Sequence, residues 1–126
     1  MAQTLLTLHF LHEKHVVHRD IKLDNILINK IDQGEYNIKI ADFGMATFSL
    51  PSNNGELYVK CGTPGFVAPE ILRSEGYKNK VDIFSLGVVF YNLLTGYHLF
   101  IGDTVNDILL SNKICDISDA LELLVA

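Results

Sequence analysis

Little in this sequence is of the kind that ties a chain to a metal, a membrane or secretion. Its only two cysteines, Cys61 and Cys115, lie far apart. They suit neither a disulfide framework nor a zinc knuckle, and free thiols fit a reducing compartment. Basic residues are few and scattered: 10 Lys and Arg against 15 Asp and Glu give a formal net charge of -5. Without a dense basic cluster there is no electrostatic footprint for nucleic acid or anionic lipid, so neither is expected as a partner. The longest apolar run, Ile83 to Tyr91 with only Ser85 interrupting, falls well short of the ~20 residues a membrane span needs. The first residues lack a basic region and a small-residue cleavage site, so no signal peptide is expected. A cytoplasmic location follows as the expectation, with the nucleus as the alternative. Internal repeats and low-complexity tracts are missing too, which excludes solenoids and linker-like arrays.

What is present supports one ordinary core: 126 residues, 48% of them hydrophobic, with no room for a second domain. Leu5, Leu8 and Leu11, with Leu6 and Phe10 beside them, predict a helix from about Thr4 to Lys14. Val16 and Val17, stiff at χ1, end it. The runs NILIN and YNIKIA flank KIDQGE, whose Asp32, Gln33 and Gly34 suit a turn, predicting a small antiparallel ribbon. From Asp42 to Val67 the composition shifts to Gly, Ser, Asn and Pro, as in the long irregular segments that usually carry function. Helical character returns at Pro69 and stops near Gly76. It resumes in VDIFSLGVVFYNLLTG, apolar nearly all round and so expected to be buried on every side, with Gly96 as its stop. Thr104 and Asp107 resemble a capping box opening a helix to about Lys113, and Ser118 opens a last one. The expected fold is mainly α with a small antiparallel β-ribbon.

His9, His12, His15 and His18 recur every three residues. On a helix each such step turns about 300°, so His9 and His18 end on opposite faces and four ligands cannot converge. HEKH also spaces its histidines one residue too closely for the zinc-protease pattern. No metal site is expected along this row.

The residues after His18 carry more. HRDIKLDN places His18, Arg19 and Asp20, then four residues, then Asn25, a pattern that composition alone produces about once in a thousand chains of this size. DFG follows at Asp42 to Gly44, then APE at Ala68 to Glu70. The ordered set resembles the eukaryotic protein kinases. The resemblance implies a protein-kinase-like fold, here part of the C-terminal lobe, that uses ATP and Mg²⁺ and acts on a protein with a Ser or Thr acceptor. By the same resemblance Asp20 would be the base at the acceptor hydroxyl, and Lys22 would steady the transferred phosphate. Asn25 and Asp42 would bring oxygen ligands for Mg²⁺ from opposite ends of the ribbon. Leu27 would floor the adenine site, although a plain core leucine fits as well. The blander readings are a turn residue for Asp20 and an Asx turn before Gly44 for Asp42.

Further roles follow from the resemblance alone. His18 and Phe43 would stack, Asp82 would accept backbone hydrogen bonds from the catalytic loop, and Thr63 would bridge toward Asp20 and Lys22. Lys22 and GTPGFVAPE are similar to serine/threonine kinases. CGTPGFVAPEIL, VDIFSLGVVFYNLLTG and ILLSNKICDI look most like the calmodulin-dependent and calcium-dependent group, with calcium/calmodulin-type regulation arising outside this chain. Arg19 beside Asp20 implies docking of a phosphate or an acid, and Glu56 is expected to be that acid. The chain departs from the family in showing no glycine-rich loop, no phosphate-pairing lysine and no arginine partner for Glu70. The join before SDALELL also looks shortened. Residues 1–126 are therefore expected to be a partial kinase domain without its N-terminal lobe, inactive alone. The alternative is a truncated, non-catalytic module that binds kinase substrates or regulators.

Overall fold

The computed structural model of the chain describes residues 1–125. Helix α1 (Ala2–Glu13) leads into strand β1 (Val16–Val17), and strands β2 (Ile26–Lys30) and β3 (Tyr36–Ile40) form the ribbon. Strand β4 (Thr47–Phe48) follows, then helices α2 (Pro69–Leu72), α3 (Lys80–Thr95), α4 (Val105–Ile114) and α5 (Ser118–Val125). The protein is mainly helical with small antiparallel sheets, as expected. The sheets number two among the described residues: β2 pairs with β3 from Ile26 opposite Ile40 to Lys30 opposite Tyr36, and β1 pairs with β4.

Local chemistry explains the element ends. Gln33 and Gly34 adopt φ of 69° and 85° and turn the ribbon. Gly96, at φ 76°, closes α3 by donating from its N–H to Asn92 O, the left-handed stop for which glycine carries no Cβ penalty. Thr104 accepts from Asp107 N while Asp107 accepts from Thr104 N, completing the capping box. Helix α2 stops earlier than expected, at Leu72.

Two apolar clusters set the layers. Val17, Val67, Ala68, Ile71, Tyr77 and Val81 pack together, while Leu8, Ile21, Leu86 and Val89 fasten α1 and the loop around Ile21 to α3, with Ile26 and Ile40 anchoring the ribbon. The expectation that α3 is buried on every side does not hold: Ile83, Phe90, Leu93 and Leu94 are exposed. Both clusters draw on one side of the helix, and an apolar surface becomes core only where another element covers it. Residues 42–67 are also less irregular than expected, because β4 crosses back to β1 and Leu57 bridges to Tyr77. Among the described residues no helix is long and apolar enough to cross a membrane.

Candidate functional site

The site is built outward from one carboxylate. Asp82, in the first turn of α3 and only 1% exposed, accepts from His18 N at 2.9 Å through Oδ2 and from Arg19 N at 2.8 Å through Oδ1. His12 Nε2 lies 2.8 Å from the same Oδ2. A buried carboxylate without donors would be costly, and three partners answer that cost. They also pin the loop, which turns through left-handed backbone at His15 (φ 59°) and Arg19 (φ 67°).

His18 is fully buried. Its Nδ1 accepts from Asp20 N at 3.2 Å, so Nε2 carries the ring hydrogen and donates to Ala41 O at 2.9 Å. Phe43 meets the ring edge-on, centroids 4.9 Å apart, in the packing geometry that aromatic pairs prefer. The expected His18–Phe43 contact and the Asp82 anchoring are both present.

Asp20 is held from three directions. Thr63 Oγ1 donates to Asp20 Oδ1 at 2.6 Å and accepts from Lys22 Nζ at 3.0 Å, while Lys22 Nζ stands 3.6 Å from Asp20 Oδ2. Asn25 Nδ2 donates to Asp20 O at 2.8 Å. Among the described residues Asn25 Oδ1 accepts no hydrogen bond, which leaves a hard oxygen uncommitted. The structure thus brings Asp20, Lys22 and Asn25 together, with Thr63 as the link.

Asp42 sits beside them, though not as the sequence suggests. Asn25 precedes β2 and Asp42 follows β3, and antiparallel pairing folds both onto one end of the ribbon, where Ala41 N donates to Asn25 O at 2.8 Å. The two ligand candidates come from the same end, not opposite ends. Asp42 is exposed, has φ 57°, and accepts from Gly44 N at 3.1 Å, so the Asx turn is real and leaves its other oxygen free. Leu27 is 52% exposed and pairs across the ribbon with Lys39. It alternates with Ile26 and Ile28 and faces away from them, so it is not a core leucine.

Two expectations about charge are settled by geometry. Arg19 uses Nε on Met45 O at 2.7 Å and Nη1 on the Tyr77 hydroxyl at 3.2 Å. Glu56 accepts instead from the Tyr58 hydroxyl at 2.6 Å, and that bond and the carboxylate charge raise the Tyr58 phenol above its ordinary value. No ion pair among the described residues involves Arg19, so Glu56 does not act as its acidic partner. Glu70 likewise has no ion pair among them.

Sequence reasoning missed the polar residues that support the site from behind. Ser85 Oγ donates to Phe66 O at 2.7 Å. Asn112, fully buried on α4, accepts from Gly65 N at 3.0 Å and donates to Val67 O at 2.6 Å. A polar residue interrupting the apolar face of a helix was the available signal. No cluster of His, Cys, Asp and Glu able to hold a metal by itself occurs among the described residues. The oxygen donors at Asn25 and Asp42 fit a hard cation that keeps waters and shares ligands with a phosphate.

The chain matches the protein kinase domain family over residues 1–123. It is 44% identical over 118 residues to the probable serine/threonine-protein kinase 2 of Plasmodium falciparum, covering 94% of this chain and 22% of that protein. It is 48% identical over 93 residues to serine/threonine-protein kinase zyg-8 of Caenorhabditis elegans, covering 74% and 12%. Against serine/threonine-protein kinase DCLK1 of Rattus norvegicus it is 46% identical over 93 residues, covering 74% and 21%. The chain spans only 12 to 22% of the length of these curated relatives. With the loop, the ribbon and the DFG and APE segments arranged as described, the chain belongs to the protein kinase domain family.

Proposed function

We propose that residues 1–126 are the lower-lobe part of a serine/threonine protein kinase, which moves the γ-phosphoryl group of ATP to a Ser or Thr hydroxyl of a protein. The observation that carries this reading is the Thr63 hydroxyl, bonded at once to Asp20 Oδ1 and Lys22 Nζ. It ties the segment before APE to the loop that holds both groups. In this reading Asp20 orients the acceptor hydroxyl and takes its proton as the oxygen attacks phosphorus. Lys22 places a positive charge beside that oxygen, and Thr63 keeps both side chains from rotating away. Asn25 Oδ1 and the Asp42 carboxylate would hold Mg²⁺, which when bound neutralises triphosphate charge. Leu27, exposed on β2, offers an apolar surface for the adenine.

The calmodulin-dependent and calcium-dependent group is the finer part of this reading. It is supported by CGTPGFVAPEIL and ILLSNKICDI, and calcium/calmodulin control would act from outside these residues. A cytoplasmic or nuclear setting suits the two free thiols.

The test is Asp20→Asn in the complete protein that contains this chain, assayed by transfer of label from ATP to Ser/Thr peptides. Transfer should fall by at least about 10²-fold. Undiminished transfer would remove Asp20 from the chemistry. A wild-type protein that binds peptides and labels none of them would establish the non-catalytic module instead.

A further inference from the structure

Arg19 adjoins Asp20 in the chain, and the groups that hold its guanidinium carry no charge. Its Nε donates to Met45 O at 2.7 Å and its Nη1 to the Tyr77 hydroxyl at 3.2 Å. Tyr77 is 3% exposed and belongs to the core cluster with Val17, Val67, Ala68, Ile71 and Val81. A ring packed in this way keeps its hydroxyl in one place, since it cannot swing out without its neighbours moving. The backbone pins the same residue: Leu57 N donates to Tyr77 O at 2.8 Å and Tyr77 N to Leu57 O at 2.9 Å.

The hydroxyl makes two bonds at once. It accepts from Arg19 and donates to Val59 O at 2.5 Å, with Cys61 Sγ 3.9 Å away. A phenol has one hydrogen to give and lone pairs to receive, so neither bond displaces the other. Together they close a ring of contacts that runs from Arg19 to Tyr77, from Tyr77 to Val59, along the chain to Thr63, and from the Thr63 hydroxyl back to Asp20 Oδ1 at 2.6 Å. Such a ring holds the side chains around Asp20 in their working places before any ligand arrives. The stretch that Tyr77 grips, residues 57–61, carries one hydroxyl, on Tyr58. That hydroxyl donates to the Glu56 carboxylate at 2.6 Å, and a phosphate placed there would meet the carboxylate as a like charge.

We infer that Tyr77 is a positioning residue that does for Arg19 what an anion would otherwise do: its hydroxyl couples Arg19 to residues 59–63, and the Asp20 site is set for transfer without phosphorylation of residues 45–60. The inference rests on the kinase reading and names the regulation of that site. A neutral, buried group replaces a charge that would have to be added and removed.

The test uses the complete protein that contains this chain, as wild type, Tyr77→Phe, Arg19→Met and the double variant, each treated with a broad-specificity protein phosphatase and shown free of phosphate by intact mass. Initial rates of label transfer from ATP to Ser/Thr peptides give kcat and KM, and hydrogen exchange reads residues 57–63. Wild type should keep its kcat within about twofold after the phosphatase. Tyr77→Phe, which keeps the ring, should lose about fivefold in kcat with the KM for ATP within about twofold, the size expected when one hydrogen bond is lost. Exchange at residues 57–63 should quicken in the same variant. In the Arg19→Met background the change should cost less than about 1.5-fold, because the two side chains act through one contact. A tyrosine that only fills the core would cost the same in both backgrounds, and that result overturns the inference. A tenfold fall of wild-type kcat on dephosphorylation overturns it too, by showing that Arg19 needs an anion; label transfer before treatment keeps the kinase reading in both cases. No transfer by wild type in either state overturns the kinase reading and the readiness for transfer with it. Quickened exchange at residues 57–63 in Tyr77→Phe then keeps the coupling alone, and unchanged exchange overturns that as well.

Discussion

Residues 15–25 and residues 43–60 are both largely irregular, and they are held in different ways. In the first stretch Val17, His18 and Ile21 are at most 1% exposed. Its polar groups reach distant elements: Asp82 on α3, Ala41 beyond the ribbon, and Thr63. In the second stretch Phe48, Leu50, Tyr58 and Val59 are 52 to 63% exposed. Its side-chain bonds are mostly local, from Ser49 to Gly55, Asn53 to Glu56 and Tyr58 to Glu56. Its long-range ties are the Phe43 contact with His18, a two-residue pairing with β1 extended by Ser49 N donating to His15 O, one bridge to Tyr77, and the reach of Arg19 and Tyr77 to backbone carbonyls. Stiffness here comes from buried polar anchors rather than from regular secondary structure. A loop anchored that way holds reacting groups still, whereas one tied locally is free to respond to a partner.

The strongest way to break this contrast is to remove the anchor. Asp82→Ala leaves two buried N–H groups and His12 unpartnered, and should cost about 3–5 kcal/mol. Hydrogen exchange should show residues 16–25 losing protection while residues 47–60 change little; equal loss in both would mean that the two are held alike. Thr63→Val comes next, because it cuts the one hydroxyl joining Asp20 to Lys22. It should lower kcat about tenfold, the kinetic equivalent of about 1.4 kcal/mol, and Thr63→Ser should restore most of it.

A smaller effect is expected at Tyr77, whose phenol is raised mainly by burial against the opposing pull of Arg19. The folded state then binds that proton more tightly than the unfolded chain. Its contribution is complete below the ordinary phenol value of about 10 and is lost as pH rises through the raised folded value. Tyr77→Phe should therefore flatten the alkaline fall of the unfolding profile. The smallest effect is expected from Glu56→Gln, since Glu56 meets an exposed tyrosine and not Arg19. Activity should stay within about twofold of wild type; a large loss would show the second stretch to be anchored by charge after all.

Much of this was legible where the cause is local. The Thr104–Asp107 box, the Gly96 stop and the ribbon turn at Gln33 and Gly34 depend on residues within a few positions of one another, so spacing and residue type suffice. Asp20, Lys22 and Asn25 share one short loop, and their meeting follows from that. What escaped depends on which surfaces meet. The bare side of α3, with Ile83, Phe90, Leu93 and Leu94, is at least as apolar as its covered side, which carries Asp82, Ser85 and Asn92. The β4 pairing rests on two residues, too few to leave a pattern. Asn112 and Asn92 look alike in sequence, and only packing shows that, among the described residues, one amide is answered and the other is not. The Glu56 expectation failed for a similar reason: proximity along the chain to a site needing an acid does not decide which way the carboxylate points.

The imidazole of His18 sets a clearance. It spans the gap between Asp20 N and Ala41 O like a rung with a donor at one end and an acceptor at the other, so a single hydrogen atom on Nε2 gives the rung its polarity. The distance between the loop at Asp20 and the strand end next to Asp42 is thereby gauged from the interior, by a ring that is itself fully buried.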